Sequence, residues 1–475
     1  RLAIRLVPRL AARGLRLVDG ERHLDQWSGL AQEAAAHALA IDRPDVALEL
    51  LEHGRAVLWQ QLIEHRTTLD DLRDTAPELR DVADELETHL RIIDSTLETV
   101  VSTSAHDTSL RWDTITESAQ RYEQLLAQVR SVRAHENFMS PVPAQELCAA
   151  AVHGPVVVIN IAARCDALCV TPTGVGYIPL STLSEEALAE YVSRYRRALD
   201  VLDDQRRGAL AKAHANNEIV AVLAWLWDHI AEPILDDLCT KLPAFERIWW
   251  CPTGGLTWMP LHAAGRYGDQ AGRSVSERVI CSYTPTVQAL LRAQRAARCD
   301  QQLGSSRVLV VSMPTTPGHR DLPATVKEAN TLRQLLPPTQ LVTLTAATAT
   351  CESVLDGMQH TSWAHIACHG RQMPDVPSES SLVLHDGLLT IAQIAQTLRA
   401  PGQFIYLSCC YSYSGTARSP DEGITIGGAL HHLGWTHVLG TIWTVDDADA
   451  AAVAASVYRH LKAQGHLQSG ESASV

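Results

Sequence analysis

Two periodicities divide the chain. Through residues 1 to about 135, apolar positions recur every three to four residues and strand-like runs are nearly absent. Gln32–Ala40 is alanine-rich, and Pro44 sits where the first turn of a helix tolerates it. Val46, Leu50, Leu51, Val57, Leu58 and Leu62 then fall on one face. Asp70–Val101 and Ser109–His135 predict two further amphipathic helices, charged on one side and carrying Leu, Ile and Val on the other. The pattern breaks at "NFMSPVPA" (Asn137–Ala144), a proline-containing linker. Beyond it, β-branched runs of strand length alternate with helical segments. Strands are predicted at Val156–Ile161, Ala167–Thr171, Arg247–Cys251, Val308–Ser312, Leu341–Leu344, Ala364–Cys368, Phe404–Cys409 and Val438–Trp443. Helices are predicted at Leu322–Leu336, Cys351–Gln359, Ile391–Leu398, Ile424–Leu433 and Ala448–Leu461. The alternation defines an α/β fold: a mostly parallel sheet flanked by helices, preceded by an α-helical region. In such sheets chemistry gathers at the carboxyl ends of strands.

Composition narrows the function classes. The 475 residues are 46% hydrophobic and 20% charged, which excludes a disordered or fibrous chain. No apolar run approaches the ~18–20 residues a membrane helix needs. The formal charge is −14, from 40 basic against 54 acidic residues, so direct nucleic-acid binding is disfavoured. Eleven cysteines, an odd number with no Cys-x-x-Cys pair, read as reduced thiols in a cytoplasmic protein. Cys165 and Cys169 alone do not make a zinc knuckle, and neither metal nor cofactor is expected. The chain begins at Arg1 without a signal pattern and reads as a piece of a longer protein.

Two strand ends carry candidate chemistry. "TSWAHIACHG" is an apolar strand finishing in His369–Gly370, and "GQFIYLSCCYS" is another finishing in Cys409–Cys410. Cys410 lies 41 residues beyond His369, enough for one crossover between neighbouring parallel strands. An imidazole and a thiol at one sheet edge are the working pair of a cysteine hydrolase: the thiolate attacks a carbonyl and the histidine protonates the leaving amine. Gly370 permits close backbone approach, so its N–H could face an oxyanion. Taken bare, the pairing is weak, because 21 His and 11 Cys produce coincidental pairs.

The surrounding residues give it weight. "AHIACHG", "SSLVLHDGLLTIAQI", "YLSCCYS", "DEGITIGGALHHLGWTHVLGTIWTVDDADA" and "VYRHL", between Ser362 and Tyr458, closely resemble the CHAT domain, a caspase-like family of cysteine peptidases related to caspases and separase. A weaker similarity extends upstream, to cover roughly residues 145–465. The resemblance implies a caspase-like fold in which His369 is the general acid/base, Cys410 the nucleophile, and Gly370 with the N–H of Cys410 the oxyanion hole. Family members usually read Leu-Ser-Ala-Cys where this chain reads Leu407-Ser408-Cys409-Cys410. Strand alternation puts Cys409 and Cys410 on opposite faces, so only one can meet His369. "TIWTVDD" resembles the separase segment that lines its S1 pocket, where an acidic residue recognises an Arg before the scissile bond (P1). Asp446, Asp447 and Asp449 are therefore candidate substrate-binding acids, with Asp421 and Glu422 the alternative. A plain N-cap for the following helix explains Asp446 or Asp447 equally well.

The N-terminal stretch "ALAIDRPDVALELLEHGRAVLW" loosely resembles the end of a tetratricopeptide (TPR) array; a plain helical bundle is the other reading. The domains expected are a TPR-like region (1–136), an N-terminal CHAT half without its own His/Cys pair (145–295), a catalytic half (296–465) and a polar tail (466–475). The resemblance implies regulated proteolysis of a protein substrate, with a regulatory protein or complex bound through the helical region. Bacterial family members act in defence, some cutting pore-forming gasdermins. The rival class is a catalytically silent interaction scaffold; a nucleotide-binding switch lacks its phosphate loop.

Overall fold

The computed structural model describes residues 28–57, 69, 72–73, 76–100, 105–132, 138, 142–204, 206–242, 244–268, 272–300, 307–373, 376–398, 402–412 and 425–465. Leu58, Leu62, Asp421, Glu422 and the tail 466–475 lie outside them.

Helices α1 (Leu30–Ala40) and α2 (Pro44–Gly54) form an antiparallel pair, with Pro44 in the first turn of α2. The apolar face of this pair, which loosely resembles the end of a repeat array, packs onto the first sheet. Ala31, Ala35, Leu48 and Leu51 share one buried cluster with Val156, Val158, Leu168 and Leu290. Small residues on α1 let the helices lie close to the strands. Helices α3 (Arg80–Val100) and α4 (Ala105–Arg130) build a separate core around Leu86, Tyr122, Leu125 and Val129.

The first half holds β1 (Val156–Asn160), β2 (Asp166–Thr171), β3 (Gly174–Pro179), β4 (Arg247–Pro252) and β5 (Ile280–Tyr283), in the order β3-β2-β1-β4-β5. β1, β4 and β5 are parallel; β2 and β3 add an antiparallel hairpin. Between β3 and β4 run α5 (Glu185–Asp203), α6 (Ala209–Leu226) and α7 (Glu232–Lys241). Ser184 opens α5 by accepting the Ala187 N–H, a standard N-cap. Helix α8 (Val287–Asp300) follows β5, and its first N–H groups, from Val287 and Gln288, donate to the buried Glu52 carboxylate at 3.0 and 2.8 Å. Arg55 donates to the Pro252 and Pro285 carbonyls, and Val57 enters the core of the second sheet, so the end of α2 stitches both halves together.

The second half contains β6 (Val308–Ser312), α9 (Thr325–Leu335), β7 (Leu341–Thr345), α10 (Cys351–Gln359) and β8 (Trp363–Ala367). A three-stranded hairpin sheet follows, β9 (His369–Arg371), β10 (Ser381–Val383) and β11 (Leu388–Thr390). Then come α11 (Ile391–Thr397), β12 (Phe404–Ser408), α12 (Ile426–His432), β13 (His437–Leu439) and α13 (Asp447–Ala463). The main sheet is wholly parallel in the order β13-β12-β8-β6-β7, so the α/β class with helices on both faces holds. Alternation sorts its side chains. Leu309, Val311, Ala364, Ile366, Ile405 and Leu407 meet α10–α12, while Val308, Val310, Trp363, Phe404 and Tyr406 meet α9 and α13. On the second face His365 Nε2 sits 3.1 Å from Glu328, outside hydrogen-bond geometry, and Nδ1 lies 3.0 Å from the Tyr458 hydroxyl.

Helix α12 carries a measurable pH signature. Burial pushes the His431 imidazole down to about 4, and that of His432 well below its ordinary value. Both stay neutral in the folded chain, so they contribute stability above the unfolded value near 6.5 that is lost as pH falls toward about 4. Melting scans should show Tm falling across this window, with a shallower fall in a His431→Gln, His432→Gln double variant. Equal slopes would refute this account of α12.

Candidate active site

β8 and β12 are hydrogen-bonded neighbours in a register that pairs Tyr406 with His365 and Ser408 with Ala367. The ladder runs one step further, with the Cys368 N–H donating to the Ser408 carbonyl at 3.3 Å. Two residues past the last pair stand His369 on one strand and Cys410 on the other. The loops after β6 and β8 also meet here, at the point where the strand order reverses, the usual crevice of an open α/β sheet.

Alternation separates the neighbouring thiols. Cys368 and Cys409 are buried among Ile366, Leu382 and Leu407, whereas His369 and Cys410 are half-buried. Burial pushes Cys368 up to about 12 and Cys409 well above the ordinary thiol range. Cys410 is raised too, first by burial and then by the Asp203 charge, while the Val445 N–H at its sulfur acts the other way. Of the three, Cys410 alone is partly exposed and so open to a substrate.

His369 is oriented by a group the sequence reading did not name. Its Nε2 donates to the Arg320 carbonyl at 2.6 Å. A carbonyl only accepts, so the neutral ring carries its proton on Nε2 and keeps the lone pair on Nδ1. The His319 ring lies 5.3 Å away, tilted by 34°. Gly370 packs against the Cys410 backbone: a Cβ there would press into the Cys410 carbonyl oxygen and stand 3.5 Å from the Cys409 Cβ. The close approach expected of this glycine is present.

Beyond β12 the chain departs from the predicted strand at Val438–Trp443. β13 stops at Leu439 because Thr441 leaves the ladder: its N–H donates to Ser412 Oγ at 2.8 Å and its hydroxyl to the Cys409 carbonyl at 2.7 Å. The segment from Gly440 then crosses the sheet edge. Trp443 packs edge-on against Tyr195, and the Thr444 hydroxyl donates to Asp203.

The candidate acids have definite places. Asp446 is the N-cap of α13, accepting the Ala448 N–H at 2.9 Å through Oδ1. Asp447 accepts the Ala324 N–H at 2.8 Å through Oδ2, and Asp449 lies in the first turn of α13. Asp203, at the end of α5, was invisible as a site residue from sequence: it accepts the hydroxyls of Tyr411 and Thr444 from over 200 residues away. No group of three or more His, Cys, Asp and Glu among the described residues is arranged to hold a metal ion. A groove of about 1750 Å³ between β5 and β13, lined by Ile280, Tyr283, Val438 and Ile442, touches the Val445 loop but neither His369 nor Cys410. No helix among the described residues is long and apolar enough to cross a membrane.

The geometry thus defines an α/β protein with a thiol and an imidazole on adjoining strand ends. The family model of the CHAT domain matches residues 220–473, more than half of the chain, and the chain belongs to that family. The match begins inside α6, downstream of the residue 145 expected from the motifs, and spans all of the second half. Among solved structures, Saccharomyces cerevisiae separase in its complex with securin is similar at a TM-score of 0.45 and 10% identity. That similarity covers 89% of this chain and 35% of the separase chain, so this chain spans about a third of the separase length. No curated protein matches.

Proposed function

We propose that this chain is a cysteine endopeptidase of the CHAT type that cuts a protein substrate through Cys410 and His369. The observation that carries the reading is the β8/β12 register, which sets the two residues at matching positions on adjoining strand ends. His369 Nδ1 takes the thiol proton, and the Cys410 thiolate attacks the substrate carbonyl carbon. The N–H groups of Gly370 and Cys410 stabilise the resulting oxyanion. The imidazolium then gives its proton to the leaving amine, and His369 activates water to hydrolyse the thioester. No cofactor enters these steps.

A basic P1 residue suits the acids at the start of α13. Asp446 and Asp447 each commit one carboxylate oxygen to a backbone N–H, leaving the other for a ligand, so capping and substrate binding are compatible. Arg fits because its planar fork engages carboxylates bidentately. Asp421 and Glu422 belong to the same proposal from sequence alone. The partners proposed are a protein substrate, gasdermin-like pore-formers among them, and a regulatory protein acting through the helical region in the cytoplasm.

Matched peptides differing only at P1 test the reading, assayed with wild type and with Asp446→Asn and Asp447→Asn. Arg should be cut in preference to Leu or Asp, and the preference should fall in at least one variant. A Leu or Asp preference that survives both substitutions removes the acidic pocket. No cleavage of any peptide or protein tried would favour the silent scaffold.

A further inference from the structure

The first half supplies neither His369 nor Cys410, yet its helix α5 ends against both arms that flank the thiol. Asp203, the last residue of α5, is exposed and accepts two hydroxyls, those of Tyr411 and Thr444. Tyr411 directly follows Cys410, and Thr444 directly precedes Val445, whose backbone N–H favours the Cys410 thiolate. The two tethers therefore join the segment just after the thiol to the loop that crosses the sheet edge. Tyr411 sits at φ +58°, a left-handed conformation that a residue with a Cβ holds only when its surroundings impose it. The bond from its hydroxyl to Asp203 is such a constraint. About two helical turns earlier, Tyr195 of α5 packs against Trp443, so the same helix grips the crossing loop twice.

We propose that Asp203 is a positioning residue: by holding Tyr411 and Thr444 together it fixes the strand end that carries the Cys410 thiol. The proposal rests on the peptidase reading of this thiol and gives the first half a definite task in it. Four ionisable groups bear on the thiol: Asp203 from α5, Tyr411 next in the chain, and Cys368 and Cys409 on the core side, while His369 stands at the matching position on the neighbouring strand end. The Asp203 charge opposes thiolate formation, so its positioning and electrostatic effects have opposite signs and can be separated.

Asp203→Asn keeps the size and one accepting oxygen but removes the charge; Asp203→Ala removes both tethers. On the full chain, kcat and KM are measured with a peptide substrate. The rate of Cys410 alkylation by iodoacetamide, located by mass spectrometry, is followed against pH. Asp203→Ala should lose about 10- to 10²-fold in kcat with KM changed by less than about threefold, as expected for a misplaced reacting group. In that background Tyr411→Phe and Thr444→Val should add less than about twofold, because their partner is gone. Asp203→Asn should shift the alkylation profile to lower pH and keep a kcat between wild type and Asp203→Ala. If Asp203→Ala proves too unstable to assay, Tyr411→Phe and Thr444→Val in the wild-type background must each lower kcat. Wild-type kcat in Asp203→Ala, full additivity of the hydroxyl deletions, or an unmoved alkylation profile in Asp203→Asn would each overturn the proposal. If the wild-type chain cuts nothing, the peptidase reading fails by itself, and the alkylation profile still decides whether Asp203 acts on the thiol.

Discussion

Replacing Cys410 by alanine should abolish cleavage, with a loss in kcat on the order of 10³-fold or more, while Cys409→Ala retains most of the activity. The nucleophile forms the covalent intermediate, so nothing nearby substitutes for it. Cys409 is adjacent in sequence, but its side chain is buried in the α10–α12 core and burial holds it firmly protonated. Its truncation to alanine, the residue family members usually carry there, removes one buried sulfur and leaves the backbone path intact. Turnover of matched peptides by the two variants is the check. A dead Cys409→Ala beside an active Cys410→Ala would mean that the strand register is shifted by one residue.

His369→Ala should lower kcat by ~10²–10⁴-fold, the usual contribution of a positioned general acid/base. The fold should be nearly unaffected, since the ring is half-buried and its one hydrogen bond in the described structure goes to the Arg320 carbonyl. The loss should be concentrated in kcat, because the imidazole acts on protons in flight rather than on substrate binding. Steady-state kinetics alongside a melting curve separates this from unfolding. Full activity in a folded His369→Ala would remove the dyad.

The parts of this site legible in sequence are those fixed by local pattern. Val308–Ser312 emerges as a strand because five consecutive buried apolar or small residues suit the middle of a parallel sheet, and Cys351–Gln359 as a helix because Thr350 and Ser353 form a capping box before it. His369 and Cys410 stood out because each ends such a strand. What stayed hidden depends on distant partners. The Arg320 carbonyl orients His369 through its backbone, so no residue type at position 320 could advertise it. Asp203 looked like any acid at a helix end, since its partners Tyr411 and Thr444 arrive from the other half. The run Val438–Trp443 has strand composition throughout, yet Thr441 takes side-chain partners in place of a ladder and turns the chain across the thiol. Helices α1 and α2 carry a small-residue pattern legible in sequence, but the surface they cover, the first sheet, lies about a hundred residues further along the chain and is not.

The central claim is that one thiol, at one strand end, is activated by His369. Treating the wild-type chain with a peptidyl acyloxymethyl ketone and locating the adduct by mass spectrometry tests it most directly. The account predicts modification of Cys410, strongly slowed in His369→Ala, with the other cysteines unmodified. An adduct on Cys409 or any other cysteine while Cys410 remains free would contradict it.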